Sequence, residues 1–136
     1  MLVLPIKKKW YDMLLSGEKK EEYRELKPYY TKRFLTAVQE YQIQKLNNGE
    51  CEAKTWIECV EQDLGSSKNI NSDYFINCVR KHSLKMYVII KNGYRKDSPS
   101  FASMVELTIG EGKPEWGAVP NEEYYVLKIK TIGAAE

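Results

Sequence analysis

From Leu84 onward the hydrophobic pattern has a period of two, which commits the second part of this chain to a sheet. Phe101, Ser103, Val105, Leu107 and Ile109 alternate with Ala102, Met104, Glu106 and Thr108, the spacing of a strand with one face turned to a core. Tyr125, Leu127 and Ile129 alternate in the same way with Val126, Lys128 and Lys130. Lys85 to Lys91 is rich in Tyr, Val and Ile and stops at Asn92-Gly93, a strong turn signal. Between the later strands, Gly110 to Pro120 reads as a glycine- and proline-rich loop with Trp116-Gly117 at its middle.

The first part of the chain reads differently. Met1 to Ile6 is a short apolar strand, and Lys7-Lys8-Lys9 opens a helix that runs to about Ser16. Gly17 stands where a helix commonly ends at positive φ. Pro28 suits a helical first turn, and Tyr30, Phe34, Ala37, Val38 and Tyr41 repeat at helical spacing until Asn47-Asn48-Gly49. Ala53 to Val60 suggests a short helix, Gly65 to Asn69 a loop, and Tyr74, Phe75, Cys78 and Val79 a helix after Asp73. Residues 45 to 83 are thus expected as a helical insertion. A length of 136 residues fits one domain spanning 1–136. The element order predicts an α+β fold with a small, mostly antiparallel barrel and flanking helices.

Between the first two helices lies the stretch whose chemistry is least ordinary, Ser16 to Arg24, with Lys19 to Glu25 readable as an exposed helical extension or as a strand. If it is a strand, it carries charge on both faces, whereas a strand normally turns one apolar face to the core. Charge on both faces suggests that one lines a polar cleft. Strict alternation puts Lys20, Glu22 and Arg24 on one face, so Lys19 joins them only from the turn before the strand becomes regular. Arg24 offers a planar fork for a phosphate or a base edge, and Lys19 a compact ammonium. Glu22 would orient one of these cations or accept a proton. A solvated ion network is the ordinary alternative, as a solvated face is for the Lys7-Lys8-Lys9 run. Arg33 lies close enough in sequence to reach the same cleft. Trp116 is either a stacking platform for a base or a plug for one barrel end, and Tyr94 raises the same question.

Composition removes several classes. A net charge of +2 argues against extended wrapping of duplex DNA. Cys51, Cys59 and Cys78 are odd in number and lack Cys-x-x-Cys spacing, and no signal peptide is read, which together predict reduced thiols in a cytoplasmic protein. His82 is the single histidine, so neither a metal site nor a cofactor is expected. No apolar run approaches the roughly 20 residues of a membrane span.

Gly17, Lys19, Glu22 and Arg24 spell G-x-K-x-x-E-x-R directly after a strand and a helix, and this resembles the ASCH domain family, relatives of the PUA fold. Asn92-Gly93-Tyr94, Trp116-Gly117 and Tyr124 to Ile129 are similar to the later parts of its small bacterial and phage members. The resemblance implies a PUA-like barrel and a cleft for RNA or a nucleotide-like ligand, lined by the motif. Some members resemble enzymes, either amidohydrolases acting on acetylated cytidine through a Lys, a Thr and a Glu, or metal-dependent ribonucleases. Lys19 matches the family lysine, and in an enzyme Lys19 and Glu22 would share the acid-base roles. Where the amidohydrolase type has its Thr, three residues on, this chain has Glu22. A protein-interaction module acting through the helical insertion is a third expectation.

Overall fold

The computed structural model describes residues 1–49 and 72–134. Strand β1 (Leu2–Ile6) leads into helix α1 (Lys8–Ser16), which buries Tyr11 and Leu14, three residues apart on one face. Gly17 then closes the helix at φ +85°, its N–H donating to the Leu14 carbonyl. A side chain there would be strained, which is why the sequence signal for the helix end holds. After β2 (Glu21–Glu25) comes α2 (Pro28–Asn47), with Pro28 in the first turn and Phe34, Ala37, Val38 and Tyr41 on its buried face. Helix α3 (Ser72–His82) has Asp73 in its first turn and Arg80, Lys81 and His82 in its last, charges of the sign that each end of the helix dipole favours.

The remaining strands are β3 (Leu84–Asn92), β4 (Ser100–Glu111), β5 (Glu123–Ile129) and the two-residue β6 (Gly133–Ala134), with a 3₁₀ turn at Pro114–Trp116. The sheet runs in the order β1-β3-β4-β5-β2, with β6 attached to β4. β1 is parallel to β3 and every other pair is antiparallel. The fold is therefore α+β, as expected, and its sheet is a curled half-barrel.

Leu4, Met86, Val88, Ile90, Val105, Leu107, Tyr125 and Leu127 share the concave face and pack against Phe34, Val38, Phe75 and Val79 of the helices. At about 25 cal/mol per Å² of apolar surface removed from water, this cluster is the main source of stability. Cys78 and α3 belong to it. The 72–83 part of the expected insertion is thus integral to the core, while the helix expected at 53–60, the loop at 65–69, Cys51 and Cys59 lie outside the described residues.

Two further details depart from the sequence pattern. β5 is buried on both faces, because Tyr124 and Val126 pack with Tyr23 and Ala118 in a second, smaller cluster behind the sheet. The turn at Asn92-Gly93 opens a longer connection, residues 93–99, instead of a two-residue hairpin. The Gly93 N–H donates to the Ile6 carbonyl at 2.9 Å, which ties this loop to β1. Among the described residues no helix is long and apolar enough to cross a membrane.

Candidate functional site

β1 and β2 are the two edges of the sheet, and its curl brings them face to face. One side chain spans the seam: Arg24 of β2 donates from Nη2 to the Pro5 carbonyl of β1 at 3.1 Å. The same guanidinium donates from Nη1 to Glu22 Oε2 at 2.8 Å and to its neighbour's carbonyl, Tyr23 O, at 3.0 Å. Glu22 and Arg24 sit opposite Leu127 and Tyr125 in the β2–β5 register and so occupy the concave face. An acid and a base therefore stand on the face that β3, β4 and β5 line mainly with hydrocarbon.

Lys19 enters from the turn before β2, where its own N–H is fixed by the Met13 carbonyl at 2.9 Å. Its side chain is 1% exposed, and its ammonium is satisfied on three sides. Glu22 Oε1 accepts at 2.8 Å and the Trp116 carbonyl at 2.9 Å, and the Trp10 ring centroid lies 4.3 Å away. Each oxygen of Glu22 thus holds one cation, the condition under which a buried carboxylate is tolerable. Burial pushes the Lys19 pKa below the ordinary lysine value; the Glu22 carboxylate opposes that shift and the Arg24 charge adds to it.

Around this network lies a cleft of about 540 Å³. Its floor is Lys19, Glu22 and Arg24; its walls are Pro5 to Lys8 and Trp10, Tyr23, Tyr30, Gly93-Tyr94 and Trp116-Gly117. Lys7, Lys8, Lys19 and Arg24 face one carboxylate, Glu22, so the cleft favours an anion. Arg24 retains Nε and one Nη2 proton without a protein acceptor among the described residues.

Tyr94 stands at the rim, 88% exposed. Trp116 lines the cleft, packs on the second cluster and lies 4.4 Å from the Lys113 ammonium. Its backbone oxygen, rather than its ring, holds Lys19. Two of the residues singled out from the sequence are not brought here. Arg33 lies over the Tyr29 ring at 4.4 Å, in a separate groove of about 470 Å³ beside α2 and β1. Gly17 shapes the turn but borders another hollow, with Leu14 and Lys20.

Sequence reasoning missed Trp10, a residue of α1. It is the platform beneath Lys19, and it packs against Gly117. That glycine has φ +100°, and a Cβ there would lie 3.0 Å from Trp10 Cζ2. Tyr23 and Tyr30 were also missed. The Tyr23 hydroxyl accepts from the Lys113 N–H at 2.9 Å and donates to Glu21 Oε1, fastening the loop that carries Trp116. No group of three His, Cys, Asp or Glu side chains that would hold a metal ion occurs among the described residues.

Comparison with protein-family models, with curated proteins and with solved structures finds no match for this chain.

Proposed function

We propose that this chain is an ASCH-type, PUA-like domain that binds RNA or a nucleotide-like ligand in the seam cleft. The observation that carries this reading is the buried Lys19-Glu22-Arg24 network at the floor of a cationic cleft. Burying the ionised Lys19 and Glu22, with Arg24 partly buried beside them, is expensive, and hydrocarbon of similar volume would stabilise the fold at least as well. Their retention next to open volume is accounted for by a ligand that needs them. Arg24 presents its remaining donors to a phosphate or a base edge, and Tyr30, Tyr94 and Trp116 supply aromatic surface around it. A titration with short single-stranded RNA and with nucleotides tests this. Replacing Lys19→Ala and Arg24→Ala together should weaken binding by at least about tenfold, the loss of one or more charge-assisted hydrogen bonds. Unchanged affinity in a folded variant overturns the reading.

One observation favours a second reading, hydrolysis of RNA or of an acyl group on a nucleobase. Lys19 combines a depressed pKa with a carboxylate at 2.8 Å, the arrangement of an acid-base pair. Incubation with RNA and with N4-acetylcytidine, with and without divalent metal, separates turnover from binding, and an absence of product in all four mixtures excludes it.

A further inference from the structure

The cleft does not end at Arg24. A second concavity of about 450 Å³ adjoins it and shares Tyr23, Arg24, Tyr30 and Gly117 with it. Arg24 and Tyr30 are common wall to both, so the two hollows form one groove bent across the guanidinium.

The ends of this groove have opposite chemistry. At the first, Lys7 is exposed at the start of α1, a helix with no acidic residue in its first turn and no side-chain cap on its leading N–H groups. Lysine and open helix N–H groups both favour an anion. Lys8 is engaged by Asp12, which leaves Lys7 as the available ammonium. At the far end the charged lining residues are Glu25 and Glu122. Glu25 is paired with Lys27 at 2.9 Å. Glu122 accepts the Tyr124 hydroxyl proton on Oε2 at 3.1 Å, and that hydroxyl in turn accepts from the Val119 N–H at 3.0 Å. The carboxylate is thereby oriented while Oε1 stays open to a donor.

Resting on the nucleotide reading above, we propose that the groove selects a nucleoside monophosphate unit whose base carries an exocyclic amino group. The phosphate lies at Lys7, the base beside Tyr30 and Arg24, and the amino group donates to Glu122. A carbonyl in place of that amino group would set two acceptors against each other, and the exposed Glu122 would keep water in place of a ligand donor.

Calorimetric titration of the full chain with two matched pairs tests this: CMP against UMP and AMP against IMP, each pair exchanging an amino group and a ring-nitrogen acceptor for a carbonyl and a ring N–H, together with cytidine and adenosine. The expected result is tighter binding of CMP and AMP, by about tenfold within each pair, the effect of one hydrogen bond to a charged acceptor. Glu122→Gln should abolish the preference, because its amide can accept from the amino group or donate to the carbonyl. Lys7→Ala should weaken all four monophosphates and leave the nucleosides unaffected. Equal binding within both pairs, or a preference that survives Glu122→Gln, overturns the proposal and leaves the nucleotide reading standing. If none of the six binds, the nucleotide reading fails and this inference falls with it.

Discussion

One concave face carries two kinds of interior. In its centre, Met86, Val88, Val105 and Leu107 are fully buried hydrocarbon, held by continuous ladders between β3, β4 and β5. At the seam, Lys19 and Glu22 are buried just as deeply, but they are ionised side chains, and Arg24 replaces a ladder between β1 and β2 with a single hydrogen bond to Pro5. Burial alone therefore does not distinguish the regions. The centre lowers its free energy by excluding water, whereas every charge at the seam is tolerable only while its partners stay in place.

The largest test of that contrast sets Met86→Ala against Glu22→Ala. Met86→Ala should cost about 2–5 kcal/mol by leaving a cavity, and the folded fraction should bind ligand as the parent does. Glu22→Ala should cost about 3–5 kcal/mol because Lys19 is left buried without its counter-ion, and binding should be lost as well. Denaturant unfolding followed by ligand titration reads both. Combining Lys19→Met with Glu22→Leu should recover part of that stability, since Arg24 still loses its carboxylate, and none of the binding; recovered binding would mean that the ions serve the fold alone.

Next in size is Gly117→Ala, which places a Cβ against Trp10 at positive φ. About 1–2 kcal/mol of destabilisation is expected from the backbone conformation. Ligand affinity should fall too, because Trp10 and the neighbouring Trp116 carbonyl both hold Lys19.

The smallest effect concerns alkali. Burial raises the pKa of Tyr23, and likewise of Tyr11 and Tyr125, above the ordinary value of 10.0. Below pH 10 their contribution is complete. Above it the unfolded phenols ionise first, and stability falls as pH climbs toward the folded values. Lys19 runs the other way, because its folded pKa is depressed and its contribution grows until pH 10.5. Tyr23→Phe should cost about 1 kcal/mol at neutral pH through the lost Lys113 hydrogen bond, and it should flatten the decline above pH 10. Chemical denaturation at stepped pH measures the slope, and an unchanged slope would place the alkaline loss in Tyr11 and Tyr125.

The comparison also accounts for what could be read from the chain. Period-two alternation from Phe101 to Ile109 located the centre because a strand's own spacing encodes it. The ionic strand was legible for the converse reason, since Glu22 and Arg24 occupy positions that alternation would reserve for apolar groups, and Lys19 falls in the preceding turn. Trp10 and Tyr30 were not legible as cleft residues: helical spacing accounts for Tyr30 without a cleft, and Trp10 gains its role from Lys19 and from Gly117, far along the chain. Arg33 was assigned by nearness in sequence, but helical rotation carries it to Tyr29 instead. The spanning bond from Arg24 to Pro5 leaves no local trace, because it depends on how far the whole sheet curls.

The strand order has a bearing on how the molecule is made. β1 and β2 are synthesised before their partners, β3 and β5, the latter ending at Ile129. During translation the emerging amino-terminal strands have nothing to pair with, while β3, β4 and β5 are sequential neighbours able to zip up locally. Assembly of the cleft is thereby deferred until β5 has left the ribosome, and products truncated before β5 lack the partner strand that holds Glu22 and Arg24 in place.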